Sequence, residues 1–331
     1  MPTITLNKTR FDSSCDNETI LDSAEKNGVF FPYSCKVGRC SSCKCKVLSG
    51  ETVVTDSELG ISEIEKSNGW ILGCVRRAIT DIELYVENLV NVDLILPKMF
   101  PCKISQINKL SSDVLQIILR LPPSAKFLFY AGQYVDVCSG GGDTRSYSVA
   151  NFSAKKNHIE LHIKNVPGGV LSDYWFEGAK IDDLLRIKGP LGTFFLRDIS
   201  GKDVVFLATG TGIAPVKAML EGLKGLAKEA KPKSVTVYWG ARTSHDLYLS
   251  DLHDNTSCQY VPVLSRPPST WRGSSGYVQD VFMTSSPDFS RTVVYACGSD
   301  VMIKSAQNLL SAAGLSMNDF FSDAFVASSP N

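Results

Sequence analysis

The chain has 331 residues, of which 44% are hydrophobic and 21% charged, and its 34 Lys/Arg cancel its 34 Asp/Glu. That length calls for two or three domains, and that balance excludes a disordered chain, a collagen-like repeat and a polybasic nucleic-acid binder. No apolar run reaches the roughly 18–20 residues of a membrane helix, and Met1–Lys8 lacks a signal peptide's apolar stretch, so the expectation is a cytoplasmic protein with no membrane or nucleic-acid partner.

Thr3–Leu6 alternates like a strand, and Thr19 can cap a short helix that Gly28 ends. Ten cysteines follow an uneven distribution. In a reducing compartment clustered cysteines read as metal ligands or redox groups rather than disulfides. Cys35, Cys40 and Cys43, with Cys74 alone after a long gap, have the Cys-x4-Cys-x2-Cys…Cys spacing of a plant-type 2Fe-2S site. Gly38, Ser41 and Ser42 keep such a loop tight and leave room for inorganic sulfide. The competing reading, a zinc site of four cysteines, usually shows two Cys-x2-Cys pairs. Cys45 fits no ligand position and reads as a buried side chain on a strand from Lys44 to Leu48. Between Tyr33 and Leu48 lie Lys36, Arg39, Lys44 and Lys46 with no acid. Either these cations offset the cluster's charge, or Lys36 and Arg39, lying between ligands, form a docking patch for an acidic partner. The segment 96–101 reads as a joint.

From Cys102 onward, short apolar runs at Cys102–Leu110, Val114–Leu121, Tyr134–Cys138, Tyr147–Asn151 and His158–Asn165 suggest an antiparallel barrel of five or six strands. Arg145-Ser146-Tyr147-Ser148 opens one of them. Val166-Pro167-Gly168-Gly169-Val170-Leu171-Ser172 runs from strand into helix and has the shape of an anion site, to which Arg145 can add a fork of donors. His158 and His162 share a strand, and neither reads as catalytic. After a second joint at 196–202, the strand Val204–Ala208 leads into Thr209-Gly210-Thr211-Gly212-Ile213-Ala214-Pro215 and a helix expected from Val216. Further strands at Val235–Trp239, Tyr260–Leu264 and Thr292–Ala296 complete a parallel sheet, whose ligands bind at the carboxyl ends of the strands. There lie Gly210, Gly212, Arg242, Cys297 and Gly298.

Taken together, Arg145-Ser146-Tyr147-Ser148, the glycine pair before Ser172, Tyr295-Ala296-Cys297-Gly298-Ser299 and the ending Phe320-Phe321-Ser322-Asp323-Ala324-Phe325 resemble the three-domain ferredoxin/FAD/NAD(P)H reductase family. The resemblance implies a β-grasp ferredoxin domain over 1–96, a six-stranded antiparallel FAD-binding barrel over 97–199 and an α/β nucleotide domain over 200–331. It also implies that Tyr147 stacks on the flavin, that Ser148 hydrogen-bonds near its N5, and that Arg145, Gly169, Val170 and Ser172 hold its pyrophosphate, with Ser146, Lys164 and Gly168 alongside. Gly210, Thr211, Gly212, Ile213, Pro215, Arg242 and Gly298 would bind the nicotinamide dinucleotide, Cys297 would flank its ring, and Phe325 would cover the flavin. Ser148, Cys297 and Phe325 are thus the catalytic candidates. Ser41 and Thr209 stand where the family often carries Gly. The implied partner is an electron-accepting protein, a sugar dehydrase or a terminal oxygenase. A nicotinamide gives two electrons at once and an iron-sulfur cluster takes one, so a flavin is needed between them. A single Arg242 opposed by Asp246 favours NADH over NADPH. A non-catalytic redox sensor or zinc-binding module is the rival class.

Overall fold

The computed structural model describes residues 1–13, 17–86, 95–138, 142–152, 157–249 and 258–325. The chain divides into two compact units, Met1–Leu96 together with the chain from Ser322 on, and Pro97–Phe321.

The first unit contains β1 (Thr3–Leu6), β2 (Thr9–Asp12), α1 (Ile20–Lys26), β3 (Lys44–Ser49), β4 (Thr52–Val54), α2 (Glu63–Ser67), β5 (Trp70–Leu72), β6 (Arg76–Ala78) and β7 (Ile82–Tyr85). Its main sheet runs β2-β1-β7-β3-β5, and β4 pairs with β6 apart from it. β1 and β7 are parallel while the other pairs in the sheet are antiparallel, the mixed pattern of a β-grasp. Strand alternation turns Ile4 and Leu6 inward, and α1 buries Ile20, Leu21 and Ala24. Thr19 caps α1 through a reciprocal bond with Asp22. Cys45 is fully buried on β3, as its position after the cysteine loop suggested.

The second unit begins with β8 (Lys98–Lys109), β9 (Val114–Arg120), β10 (Tyr134–Cys138), β11 (Thr144–Ser148), β12 (His158–Lys164), α3 (Val170–Asp173) and β13 (Leu184–Leu191). These six strands run β11-β10-β13-β8-β9-β12, antiparallel in every pair, and the Val149–Leu161 bridge carries the sheet back on itself. Ile104, Ile117, Leu119, Val135, Val137, Leu161 and Ile187 fill the barrel interior. Three expectations change in detail. Phe100 and Pro101 belong to β8 rather than to a joint, because Pro101 and Phe100 pair with Arg186 and Ile187 of β13. β11 starts at Thr144 and ends at Ser148, its exposed polar residues held by pairing with β10. β13 is the sixth strand.

The remainder carries a parallel sheet, β17-β16-β15-β14-β18, made of β14 (Asp203–Thr209), β15 (Ser234–Ala241), β16 (Gln259–Leu264), β17 (Ser274–Ser275) and β18 (Thr292–Ser299), and β19 (Phe320–Phe325) ends the described chain. β14 pairs in parallel with β15 and β18, and β16 in parallel with β15 and β17. The helices are α4 (Ile213–Lys224), α5 (Val278–Met283) and α6 (Asp300–Ala312). β14 and β18 are apolar almost throughout, as strands covered on both faces must be. α4 begins three residues before the expected start, since Pro215 fits a first turn whose N–H needs no partner. Among the described residues no helix is long and apolar enough to cross a membrane.

Candidate functional site

Three of the four singled-out thiols lie between α1 and β3, and the fourth lies in the single turn Gly73–Val75 that follows β5. Gly73 N–H donates to Cys43 O at 3.0 Å and clips that turn to the loop. Cys40, Cys43 and Cys74 are buried, and Cys35 is half-buried. The thiols meet as two pairs, Cys35 with Cys40 and Cys43 with Cys74. The bond with Cys40 and the amides around it lower Cys35 to about 6 against its burial, and Val37 N–H donates to its Sγ at 3.4 Å. Cys40 is pushed up by the same bond and by burial. Among the described residues no three Cys, His, Asp or Glu side chains converge as ligands of one metal ion. A two-by-two set fits a binuclear cluster with two thiolates per iron.

The loop's shape is set by its backbone. Gly38 has φ +69°, and a Cβ there would stand 2.0 Å from Ser57 O. Ser41 is also left-handed, at φ +60°, and its hydroxyl donates to Gly60 O. Ser34 Oγ donates to the buried Asp323 carboxylate, and Ser42 Oγ donates to Ser322 O at 3.3 Å, both inside the first unit. The loop's cations are not all available for docking. Lys36 pairs with Glu25 at 2.8 Å and Lys44 with Glu65 at 3.0 Å, and their ammoniums lie over the rings of Tyr33 and Trp70.

On β11, alternation puts Arg145 and Tyr147 on one face and Ser146 and Ser148 on the other. The Tyr147 ring is half-buried and meets Trp175 edge-on, and its hydroxyl accepts from Trp175 Nε1 at 3.0 Å. Desolvation raises that phenol to about 12, so it stays a neutral donor. Ser148 is buried, whereas Arg145 is exposed. Ser146 Oγ donates to Asp136 at 2.6 Å. In the turn after β12, Gly169 N–H donates to Val166 O and Ser172 Oγ accepts from Val166 N–H at 3.1 Å, which folds Gly168, Gly169 and Val170 over the start of α3. α3 is only four residues long and passes into a single π turn, Tyr174–Gly178, that seats Trp175 in the barrel core. Lys164 pairs with Asp113 at 3.4 Å.

At the carboxyl edge of the parallel sheet the second constellation is assembled by close backbone approach. Gly210–Gly212 forms a tight turn into Ile213 and Pro215 of α4, with Thr211 at its middle. A Cβ on Gly212 would stand 2.3 Å from Cys297 O, and one on Gly298 would stand 2.2 Å from Thr209 Oγ1. Thr209 Oγ1 accepts from Ser299 N–H at 3.1 Å, so the hydroxyl at this departure from Gly ties β14 to β18. Cys297 is fully buried in the sheet's core. Arg242 follows β15, and Arg266 N–H donates to Arg242 O at 3.0 Å, which places a second arginine beside it that sequence reasoning missed. Asp246 is engaged locally: its Oδ2 accepts from Thr243 N–H and Oγ1. Phe325 ends β19 and is 37% exposed. The exposed guanidinium, flat ring and glycine turns suit a flavin pyrophosphate on the barrel and a dinucleotide on the sheet.

Comparison with known proteins agrees with this division. Residues 4–78 match the 2Fe-2S iron-sulfur cluster binding domain, 101–196 the oxidoreductase FAD-binding domain and 206–308 the oxidoreductase NAD-binding domain. The CDP-6-deoxy-L-threo-D-glycero-4-hexulose-3-dehydrase reductase of Yersinia pestis is 41% identical over 321 residues, covering 96% of this chain and 95% of that protein. The xylene/toluene monooxygenase electron transfer component XylA of Pseudomonas putida is 32% identical, covering 93% and 89%. Among solved structures, the Amycolatopsis cytochrome P450 reductase GcoB superposes with a TM-score of 0.78 at 27% identity, covering 99% of this chain and all of that one. With a cluster loop, a flavin barrel and a nucleotide sheet in one chain, this protein belongs to the three-domain ferredoxin/FAD/NAD(P)H reductase family and is an iron-sulfur flavoprotein oxidoreductase.

Proposed function

We propose that the chain oxidises NADH and delivers electrons singly to a sugar dehydrase, in the manner of a CDP-6-deoxy-Δ3,4-glucoseen reductase. The observation that carries this reading is the end-to-end identity with the Yersinia dehydrase reductase. When bound, the nicotinamide supplies a hydride, FAD accepts it and splits the electron pair, and the cluster passes electrons one at a time. Cys35, Cys40, Cys43 and Cys74 hold the cluster. Arg145, Ser146, Ser148, Lys164, Gly168, Gly169, Val170 and Ser172 seat FAD, with Tyr147 as the flat platform. Gly210, Thr211, Gly212, Ile213, Pro215, Arg242 and Gly298 seat the dinucleotide. Ser148 donates a hydrogen bond near the reacting flavin edge, Cys297 borders the nicotinamide, and Phe325 covers the flavin until the nicotinamide displaces it. For this work the barrel acts as a domain over 97–199 and the sheet as one over 200–331.

A second reading, in which the acceptor is a terminal oxygenase, is favoured by the similarity to the xylene/toluene monooxygenase component. A cytoplasmic, reducing location belongs to the same reading, because thiolates that hold a cluster must be kept from forming disulfides. The test is anaerobic reduction of the purified, coloured holoprotein by NADH, followed by transfer to a purified dehydrase or to an oxygenase component. Flavin and iron-sulfur bands that bleach with NADH and recover with the dehydrase are the expected result. Recovery only with an oxygenase establishes the second reading, and a colourless protein ends both. Phe325→Ser is expected to tighten nicotinamide binding, read as a lower Kd in a flavin titration. An unchanged Kd removes the cover role.

A further inference from the structure

One buried ionic cluster joins the chain just beyond β11 to the helix that follows the Gly210–Gly212 turn, and neither cofactor motif includes it. Glu160, buried on β12, accepts from Gln116 Nε2 and His162 Nε2 through Oε1, both at 2.8 Å, and from Lys217 Nζ through Oε2 at 3.1 Å. Lys217 lies on α4, two residues after Pro215. All three of its donors are engaged: on Glu160, on Ala150 O at 3.1 Å and on Glu221 Oε1 at 2.8 Å. Ala150 is two residues beyond Ser148. Glu221, one helical turn along α4, accepts Phe152 N–H at 2.7 Å. A further tie comes from Tyr248, whose hydroxyl bonds His162 Nδ1 at 3.1 Å.

We propose that Lys217 and Glu160 are positioning residues for hydride transfer, fixing α4 against the exit of β11 so that the flavin and nicotinamide sites keep one spacing. An apolar contact between helix and barrel could slide, whereas two directional bonds from one ammonium to Glu160 and Ala150 O, with Phe152 N–H held by Glu221, cannot be kept in a second register. The step they serve moves a proton with two electrons from the nicotinamide ring to flavin N5, leaving oxidised nicotinamide and reduced flavin. Its rate depends on reach at the level of an ångström, while binding of either cofactor alone does not.

The inference rests on the reading of Ser148 and Gly210–Gly212 as flavin and nicotinamide elements. The test compares wild type with the double variant Glu160→Gln/Lys217→Met, which removes the two charges together and leaves only the half-exposed Glu221 carboxylate, still held by Phe152 N–H, without its ammonium. Anaerobic stopped-flow with increasing NADH gives the Kd and the limiting rate of flavin bleaching, and amide exchange at Ala150 and Phe152 reports the joint in the oxidised holoprotein. The expected result is a folded, FAD-loaded double variant with Kd within twofold, faster exchange at both amides and a limiting rate lowered at least tenfold, with Lys217→Arg recovering most of it. A limiting rate within twofold of wild type overturns the proposal. Should the double variant not fold, Glu221→Ala removes the outer tie at a half-exposed position: a fall of about threefold is expected, and an unchanged rate overturns the proposal. If wild-type flavin is not reduced by NADH or NADPH, the functional reading itself has failed.

Discussion

Ser41 and Gly38 have nearly the same left-handed backbone, yet only one of them tolerates a side chain. At Ser41 the cost of that conformation, about 1 kcal/mol, is met by its bond to Gly60 O, so Ser41→Gly should change stability by no more than about 1 kcal/mol. At Gly38 an added methyl would collide with Ser57 O, and Gly38→Ala is expected to cost more than about 2 kcal/mol and to lower cluster content. Iron and labile-sulfide assays on the purified variants, with thermal melts, check both. The cysteine spacing was legible because ligand chemistry fixes it along the chain. Why Ser41 and Thr209 replace glycine was not, because Gly60 O and Ser299 N–H reach them only in three dimensions.

The strand β12 and helix α4 carry a pH prediction. Burial opposes ionisation of Glu160, but His162, Lys217 and Gln116 outweigh it and lower the carboxyl from 4.5 to about 2. A lowered carboxyl contributes stability above its unfolded value and loses it as pH falls through the folded one, here between about 4.5 and 2. Burial is also the leading cause that lowers His162 below 6.5, so its contribution is complete above that pH and fades below it. Melting temperature should therefore fall on acidification below about 6.5 and more steeply below about 4.5, with Glu160→Gln flattening the lower limb. A melting temperature flat from neutral pH down to about 3 would contradict this. Element reading from sequence succeeded where apolar residues run unbroken, as in β14 and β18. It left β13 out although Leu185 and Ile187 alternate with exposed Leu184, Arg186 and Lys188, a signal that was present but masked by Gly189-Pro190. Arg266 was missed because parallel pairing of β15 with β16, not proximity in sequence, sets it beside Arg242. A 2′-phosphate at that edge would draw on both arginines, so Arg242→Ala/Arg266→Ala is expected to lower kcat/KM for NADPH about tenfold while NADH, the proposed donor, changes less than about twofold. Equal losses for both nicotinamides would place the arginines elsewhere in the site.

For the whole molecule, the separation into a cluster unit and a flavin-nucleotide unit implies that the two halves of the chemistry can be divided. Cys74→Ser should keep FAD and the reduction of a small dye by NADH, but reduce cytochrome c at less than about a tenth of the wild-type rate, since only the one-electron carrier is lost. Wild-type cytochrome c reduction by this variant would show that electrons leave from the flavin. Charge steering by the cluster loop is weaker than the sequence suggested, because Glu25 and Glu65, remote in sequence, neutralise Lys36 and Lys44. The bonds from Ser34 to Asp323 and from Ser42 to Ser322 also set an order of events during synthesis. Ser34 leaves the ribosome 289 residues before its acceptor. At about 5–20 residues per second, it waits on the order of 15–60 s with water as its substitute partner. The amino-terminal unit therefore gains these two bonds only once Ser322 and Asp323 have been made, and a nascent chain stalled anywhere before Ser322 presents a cysteine loop lacking both clasps.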